Sequence, residues 1–540
     1  MASENVERSA IRRPLELECL EERIAPAGSI IATISGGNLT ITGDAAGNGF
    51  IIDDSGLPAN ELRITPNPGT LLNGYAGPVV YTGVTGGLKI NLGDGDDSMS
   101  LYGIVIAKNV QIDAGAGIDT VMVDSFSTIG GSLTLSNADL SQFVDAAVTH
   151  NVTIVYTTDG HNTVHMNRGQ VGGNFSITHR GQDLFSNFDF NSSTIAGSLT
   201  VSNKTGAHGF GDASRLLIHD SLVGGVKVKG GTGDYYFDFI NSETVPGKGG
   251  MSFSYGVGDV NTLIDNSTVN GSVSLKTAGG LPAIAYDTAF TLRNDSDIHG
   301  KLTIRTFDTD DTVVMDKAVV VKGINIDTGT GTSTVTVHSC GIGGERIGTK
   351  LLMYPSIISQ AASGWSFSDD TTTVSFNEVE MGPLALKLRS QNAHVSFDYY
   401  ANGGNVSVST QGGDDVVDFY RCRIAGNIAV KTAGGMDAVF FDSVDARRAL
   451  SIDTGAGNDS VRIDTGTENL LGEYHGPVKI ALGAGDDFLQ MGNPIISGNS
   501  GLYDKPVALN GGSGTDELYY LNNGNTFTID PKIDLFENTH

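Results

Sequence analysis

The stretch that decides the fold is LSIDTGAGNDSVRID, residues 450–464, a glycine-rich turn ending in aspartate between two short apolar strands. Seven stretches share this pattern, and in each of them an aspartate stands nine residues after the first apolar residue. Where copies adjoin, successive aspartates are 22 residues apart, and the last two steps are 28 and 29 residues. Self-similarity at such a period is typical of a solenoid. The seven aspartates are Asp97, Asp119, Asp415, Asp437, Asp459, Asp487 and Asp516.

Polar and apolar residues alternate on both sides of each turn. In the quoted stretch, Leu450 and Ile452 precede the glycines, and Val461 and Ile463 follow them. An alternation of period two predicts two short strands per unit, each with one face inward, and the glycines allow the chain to turn between them. The inward positions are expected to form two buried stacks along the rod. They include Val121, Val123, Val417, Phe419, Val439, Phe441, Val461 and Ile463.

Weaker copies of the unit fill the middle of the chain, which gives about 16 coils of about 22 residues each. At an inter-strand spacing of about 4.8 Å, these coils would stack into a rod about 75 Å long. Glycine makes up 73 of the 540 residues, without a collagen-like triplet period. The sequence therefore predicts an all-β chain folded as a single elongated parallel β-helix, a β-solenoid of the three-sided kind, with one irregular insertion.

The repeat is interrupted once and is absent near the N-terminus. The interruption begins at about Ser339 and contains Pro355 and Trp365, so we expect a loop or small lobe there. Capped ends are expected because a bare end coil exposes unpaired backbone. The predicted segments are a targeting-like segment 1–29, a cap 30–87, coils 88–338, the insertion 339–383, coils with aspartate turns 384–520 and a C-terminal cap 521–540.

The charge balance argues against nucleic acid as a partner. The chain has 33 basic and 61 acidic residues, a net charge of −28, and its basic residues form no phosphate-binding stripe. No apolar run reaches the roughly 18 residues of a membrane span. Three cysteines, Cys19, Cys340 and Cys422, are too few and too dispersed for a disulfide framework or a zinc site. We expect free thiols, with a meeting of Cys340 and Cys422 in space as the alternative.

The N-terminal segment RRPLELECLEERIAPAGS, residues 12–29, resembles the short motif found at the start of planctomycete extracellular proteins. In that family, a basic pair precedes a Leu-Glu-x-Leu-Glu-x-Arg core and a proline. The resemblance implies a secreted or cell-surface protein. An ordinary amphipathic helix is the alternative, because Leu17, Leu20 and Ile24 share one helical face. The residues that match the family motif are Arg12, Arg13, Leu17, Glu18, Leu20, Glu21, Arg23 and Pro26.

The aspartate turns carry a second resemblance. GGSGTDELY, residues 511–519, is similar to the calcium-binding nonapeptide of repeats-in-toxin proteins, and GAGNDSVRI and GAGDDFLQM fit its G-x-G-x-D core. In that family, calcium lies between stacked turns and is held by aspartate carboxylates and turn carbonyls. The family has two such turns per coil, whereas this chain has one turn per 22 or more residues. The resemblance therefore implies a single calcium ladder on one edge, without the family's β-roll fold.

Stacked aspartates need a physical reason to coexist. Two like charges about 5 Å apart repel by about 0.8 kcal/mol in water and about 3 kcal/mol at an effective dielectric of 20. A bound calcium ion would offset this repulsion, and so would turn capping, in which each aspartate accepts backbone N–H bonds. Both readings stay open, and calcium is expected to be weak or missing in the middle coils, where Tyr235 and Ser333 replace the aspartate. The candidate metal ligands are Asp94, Asp96, Asp97, Asp119, Asp414, Asp415, Asp437, Asp459, Asp487 and Asp516.

An enzymatic role is the minority interpretation. Other β-helices cleave acidic polysaccharides in a groove with calcium and basic side chains. The candidate basic residues alternate with apolar ones, which predicts solvent-facing positions on strands. The sequence shows no Ser/His/Asp set and no His-rich metal motif, so we expect a protein without catalytic activity. The basic candidates are Lys227, Lys229, Lys301, Arg305, Arg421 and Arg423.

The repeat and the resemblances together predict a non-enzymatic extracellular or cell-surface β-solenoid with a structural or adhesive role. GGSLTLSN (130–137) and GGNFSITH (172–179) also resemble the repeats of secreted filamentous adhesins. The expected partners are cell-surface polysaccharide, a matrix protein or further copies of the chain. The alternative is a β-helix that binds or cleaves polysaccharide.

Overall fold

The described residues are all-β and form a parallel β-helix of about 17 turns, which confirms the predicted fold class. Among the described residues, no helix is long and apolar enough to cross a membrane. The targeting-like motif, Cys19 and Trp365 lie outside the described residues. The computed structural model describes residues 28–540 except for 158–159, 181–182, 204–212, 279–285, 308–309, 330, 343, 348–349, 354–355, 360–370, 390–391, 467–470, 494–500 and 521–523.

Each regular coil contributes three strands, so three parallel sheets run along the rod. One coil consists of Val110–Asp113, Thr120–Asp124 and Thr128–Ile129, which belong to sheets A, B and C in that order. The alternation in the sequence predicts only the first two of these strands. The third escapes the prediction because two residues are too few to show an alternation.

Sheet A is formed by the strands that precede the glycine-rich turn. Its strands are Asn38–Thr42, Leu88–Asn91, Val110–Asp113, Leu133–Ser136, Val152–Tyr156, Phe175–His179, the second halves of Thr194–Asn203 and Leu222–Lys229, Met251–Ser254, Val273–Lys276, Leu302–Arg305, Ile324–Asp327, Ser356–Ser359, Leu384–Lys387, Val406–Ser409, Ile428–Lys431, Leu450–Ala456, Val478–Ala484, Val507–Ser513 and Lys532–Asp534.

Sheet B is formed by the strands that follow the turn. Its strands are Gly49–Asp53, Ser98–Tyr102, Thr120–Asp124, Leu140–Val144, Gly160–Asn167, Asp183–Asn191, Ala213–His219, Asp234–Ile240, Val260–Asp265, the first parts of Asp287–Ile298 and Asp310–Val320, Ser333–His338, Thr371–Asn377, Asn392–Asp398, Val416–Tyr420, Ala438–Asp442, Ser460–Ile463, Phe488–Met491, Glu517–Tyr519 and Asn538–Thr539.

Sheet C consists of very short strands, and four longer strands bend from one sheet into the next. Its separate strands are Val105–Ile106, Thr128–Ile129, Ala147–Val148, Gln170–Val171, Glu243–Thr244, Thr268–Val269, Gly341–Ile342, Glu380–Met381, Ala401–Asn402, Arg423–Ile424, Asp445–Ala446, Glu473–Tyr474, Leu502–Tyr503 and Thr526–Phe527. The remaining members are the starts of Thr194–Asn203 and Leu222–Lys229 and the ends of Asp287–Ile298 and Asp310–Val320.

The N-terminal end differs from the coils because it contains antiparallel pairs. Gly28–Ser35 pairs antiparallel with Asn38–Thr42, and Gly49–Asp53 pairs antiparallel with Glu61–Pro66. Two further strands, Thr70–Leu72 and Val79–Thr82, pair with Gly28–Ser35 and Glu61–Pro66 respectively. The parallel stack then begins where Leu88–Asn91 pairs with Asn38–Thr42.

Residues 339–383, the predicted insertion, also carry strands of the regular stack. Ser356–Ser359 continues sheet A between its neighbours, and Thr371–Asn377 continues sheet B. The additional element is an antiparallel hairpin of Gly344–Ile347 and Lys350–Met353, which forms a separate two-stranded sheet.

The core is a set of inward-facing columns, one residue per coil. The predicted pairs Val417 with Val439 and Phe419 with Phe441 are direct neighbours in register, and every predicted inward residue is at most 1% exposed. Phe397, Phe419 and Phe441 stack at centroid distances of 4.4 and 4.6 Å. The predicted register is therefore confirmed.

The two described cysteines do not meet. Cys340 and Cys422 are free and buried, and both occupy the same column where sheet B passes into sheet C. Val379 and Tyr400 lie between them in that column. Three coil steps of about 4.8 Å separate the thiols by about 14 Å, which is too far for a disulfide.

Candidate functional site

The turn between sheets A and B, here called the AB turn, is built by glycines that no other residue could replace easily. Gly455 and Gly457 have φ values of 100° and 140°, in the region that favours glycine. A Cβ on Gly455 would come within 1.9 Å of the Ala433 carbonyl oxygen, and one on Gly457 within 1.7 Å of the Gly435 oxygen. The glycines therefore allow both the turn and the close stacking of one coil on the next.

The seven aspartates, which recur at the same position of their coils, produce a column of hydrogen bonds across coils, which we call the inner ladder. The Oδ1 atom of each aspartate accepts the backbone N–H at the equivalent position of the preceding coil. Asp437 receives the N–H of Asp415, and Asp459 that of Asp437, both at 2.9 Å. The other links run from Asn48 to Asp97, Asp97 to Asp119, Ala393 to Asp415, Asp459 to Asp487 and Asp487 to Asp516, at 2.6–3.0 Å.

The second oxygen of each aspartate is enclosed. All seven aspartates are at most 2% exposed, and among the described residues no donor lies in hydrogen-bonding geometry to their buried Oδ2 atoms. Because burial disfavours the charged form, it raises the pKa of Asp119 and Asp415 to about 7 and that of Asp97 and Asp487 to about 6. These four carboxyl groups can therefore be protonated near neutral pH, and the protonated form buries no charge.

A second column of hydrogen bonds lies one residue earlier in each turn. Its side chains accept N–H groups of the following coil, whereas the inner aspartates accept those of the preceding coil. We call it the outer ladder, because its members are exposed. Asp414 Oδ1 accepts the N–H of Met436 in the following coil at 2.8 Å, and Asn458 Oδ1 accepts that of Asp486 at 2.9 Å. Because asparagine and aspartate occupy equivalent positions here, the outer ladder depends on the side-chain oxygen and not on its charge.

The two ladders differ in the middle of the rod. In the inner column, Tyr235 stands where the C-terminal coils have aspartate, as the sequence predicts, and Val260 follows it. The outer ladder nevertheless continues, since Asp234 accepts the N–H of Asp259, and Asp259 that of Asp287, both at 2.9 Å. The sequence reasoning missed this column. Its signal was an aspartate or asparagine eight residues after the first apolar residue of the coil.

The passage from sheet B to sheet C, the BC corner, carries a third column, made of serine. Asn241 adopts φ 48° there, a left-handed conformation that asparagine tolerates, and Ser242 follows it into the interior. The Ser242 N–H donates to Ser267 Oγ at 3.0 Å, and Ser242 Oγ donates to the Ile240 carbonyl at 2.7 Å. The buried members of this serine ladder are Ser193, Ser221, Ser242, Ser267 and Ser296.

The predicted metal ligands divide into two groups. The seven inner aspartates share one edge of the rod, and each already uses Oδ1 as a turn cap. Asp94, Asp96 and Asp414 are exposed on the same edge, and Asp96 caps the N–H of Ile118 at 2.9 Å. These contacts support the capping alternative. Calcium at the turns stays a prediction.

The predicted basic residues lie on different parts of the surface. Lys227 and Lys229 are exposed on sheet A, whereas Arg423 is exposed on sheet C and lies 3.6 Å from Asp445. Arg421 lies at the BC corner over the rings of Tyr399 and Tyr420. The six candidates therefore do not line a single groove.

Sequence reasoning also missed a mixed cluster on sheet C. Asp445, Glu473 and His475 come from neighbouring coils, and one ligand atom from each lies within 4.8 Å of the others. The cluster was hidden because Asp445 is 28 and 30 positions before Glu473 and His475, and only the register of the coils brings it beside them.

No protein-family model, curated protein or solved structure matches the chain.

Proposed function

We propose that this chain is a non-enzymatic structural rod of the extracellular space or cell surface, with a scaffolding or adhesive role. The observation that carries the proposal is the continuous parallel pairing of coils from Leu88 to Thr539. Side-chain ladders at the AB turn and the BC corner reinforce that pairing.

The ladders add hydrogen bonds between successive coils, which stabilises a structural rod. Backbone hydrogen bonds in three sheets join every coil to the next, and the side-chain caps satisfy the turn N–H groups between the sheets. Separating two coils in the C-terminal region would break both kinds of bond at once. The acidic surface, with a net charge of −28, opposes non-specific association of such rods.

Location is the first test of this proposal. Antibodies against the purified chain would be applied to intact producing cells and to cells permeabilised as a control. We expect labelling, and cleavage by added protease, on intact cells. Signal found only after permeabilisation would overturn the extracellular assignment.

Mechanical behaviour is the second test. The purified full chain would be pulled from its two ends in single-molecule force spectroscopy. We expect stepwise lengthening by about one coil per event, because each coil contacts chiefly its neighbours. A single all-or-none event would contradict a rod built from repeated units.

Polysaccharide binding is a second candidate function, and a groove on sheet A favours it. Short polar side chains, including Thr153, Ser176 and Thr200, form its floor, and Lys227 and Lys248 lie at one end. Hydroxyl and amide groups can bond sugar hydroxyls, while lysine can bind a sugar carboxylate.

This second candidate would be tested with polygalacturonate as the probe. Replacing Lys227 and Lys248 together by serine should abolish binding to the full chain, whereas Lys479→Ser, an exposed change farther along sheet A, should preserve it. Equal binding by all three proteins would exclude the groove. Ultraviolet absorbance from unsaturated sugar products would indicate lyase activity and overturn the non-enzymatic proposal.

A further inference from the structure

We propose that Asp445, Glu473 and His475 on the outer surface of sheet C form a binding site for a divalent transition metal such as zinc. The site would pin two coils together near the C-terminal end of the rod. It is independent of the aspartate turns, which lie on a different edge.

The stacking of sheet C creates the site. Three consecutive coils present the triplets Asp-Ala-Arg, Glu-Tyr-His and Leu-Tyr-Asp, beginning at Asp445, Glu473 and Leu502. The middle residue of each triplet is buried, so the first and third side chains point outward. Register places Asp445 beside Glu473, and it places His475 between Arg447 and Asp504.

Hydrogen bonding determines which ring nitrogen of His475 could bind a metal ion. His475 Nδ1 lies 2.7 Å from Asp504 Oδ2, and a carboxylate only accepts, so Nδ1 carries the proton. In the neutral imidazole the lone pair is then on Nε2, which faces Asp445 and Glu473. A carboxylate holding the far nitrogen of a histidine is the usual support of a metal-binding imidazole.

The distances match a small ion. His475 Nε2 lies 3.2 Å from Glu473 Oε2 and 3.7 Å from Asp445 Oδ1. A tetrahedral zinc ion about 2.1 Å from its ligands places those ligands about 3.4 Å apart. Asp445 Oδ1 is itself buried, and no donor in the described part of the chain forms a hydrogen bond with it.

A positive charge already lies against these atoms. Arg447 Nη2 donates to Asp445 Oδ2 at 2.5 Å, and Arg447 Nη1 lies 3.2 Å from His475 Nε2. Arg447 therefore contacts two of the three residues of the cluster, and its positive charge offsets part of the negative charge of the two carboxylates. Arg447 is 43% exposed, so its guanidinium can move into solvent when an ion takes its place.

The ligand set selects the class of metal. An imidazole with two carboxylates suits zinc and its neighbours in the first transition series, whereas calcium prefers oxygen ligands alone. The partial exposure of Glu473, at 43%, leaves room for water as a further ligand.

Titration of the untagged, chelator-treated full chain with zinc chloride tests the site. We expect one zinc ion per chain, at least 100-fold weaker binding in His475→Gln, and 10–100-fold weaker binding in Asp504→Asn, which loses the orienting carboxylate. Arg447→Gln should bind zinc more tightly, because the competing guanidinium is gone. A purely structural role for Arg447 would not raise the affinity.

The matched control is His338→Gln, since His338 contacts Asp316 and Glu378 on sheet B without joining the cluster. Circular dichroism would confirm that each variant keeps its fold. Absence of zinc binding, or the same affinity and stoichiometry in His475→Gln, would overturn the proposal. Neither result would bear on the rod function, whose tests do not involve metal.

Discussion

Buried side-chain hydrogen bonds join successive coils at the AB turns in the C-terminal region and at the BC corners in the middle region. From Val406 to Tyr519, the inner ladder of aspartates joins successive AB turns. Between Ser193 and Ser296, the serine ladder joins successive BC corners instead. At the BC corners of that C-terminal region, the serine position is held by Cys422, Val444, Gly472 and Gly501.

Both regions keep the outer ladder, and each adds one further polar column, at the AB turn or at the BC corner. The comparison teaches that this second column can lie at either corner, and that its chemistry sets the response to pH. Serine hydroxyls stay neutral across the physiological range, so the serine ladder does not titrate. The inner aspartates are buried carboxyl groups whose pKa is raised by that burial. The two regions should therefore respond differently to substitution, acid and cations.

The largest expected effect comes from breaking the core that both regions share. Ile463 is fully buried, so Ile463→Asp would place an unpaired charge among apolar side chains. We expect the free energy of unfolding to fall by at least about 3 kcal/mol, measured by chemical denaturation. The control is Ser451→Asp, at an exposed position in the same coil. Wild-type stability in Ile463→Asp would contradict the register.

Removing part of the inner ladder should have the next largest effect. The double variant Asp437→Ala with Asp459→Ala leaves the N–H groups of Asp415 and Asp437 without acceptors. Each orphaned group should cost about 1–3 kcal/mol, and hydrogen exchange should accelerate in the C-terminal coils only.

The corresponding asparagine variants provide the control for the ladder, because asparagine keeps Oδ1. Asn48 already occupies the inner column at the N-terminal end and donates its amide to the Ala46 carbonyl at 2.7 Å. We therefore expect Asp437→Asn with Asp459→Asn to remain close to wild type. Equal damage from alanine and asparagine would show that charge, and not the capping oxygen, holds the turns.

The serine ladder should show a smaller and more local effect. Ser242→Ala removes the acceptor of the Ser221 N–H at 3.1 Å, and a cost of about 1–2 kcal/mol is expected. Hydrogen exchange should accelerate in the middle coils while the aspartate turns keep their protection. Loss of protection in the C-terminal coils would show that the two regions do not act separately.

The last expected effect is a difference in pH dependence. In the folded chain, burial raises the pKa of Asp415 to about 7 and that of Asp487 to about 6, above the ordinary value of about 4. The native state therefore binds more protons than the unfolded state between about pH 7 and pH 4, so stability from these groups rises as pH falls.

Replacing Asp415 and Asp487 tests whether stability rises as pH falls. Asp415→Asn with Asp487→Asn removes two titrating carboxyls, so the gain in unfolding free energy on lowering pH from 7.5 to 5 should shrink. Ser221→Ala should leave the gain unchanged. An unchanged pH dependence in the asparagine variant would contradict the burial of these carboxyls in an ionisable form.

The fold and the column of inner aspartates could be predicted because the sequence repeats at a regular period. The period fixed the register of Asp97 and Asp119, and the alternation placed Val461 and Ile463 inside. The two-residue strands of sheet C were too short to give a pattern. The cluster around His475 was not predictable either, since Asp445 is 28 positions before Glu473, outside the 22-residue period, and only stacking joins the two.

The central claim is that the inner aspartates join the coils as hydrogen-bond caps. Hydrogen exchange at the N–H groups of Asp415, Asp437 and Asp459 tests it most directly, with and without calcium. The account predicts strong protection of all three in chelator and little change when calcium is added. Rapid exchange in chelator, with protection restored by calcium, would contradict it and show that a cation holds the turns together.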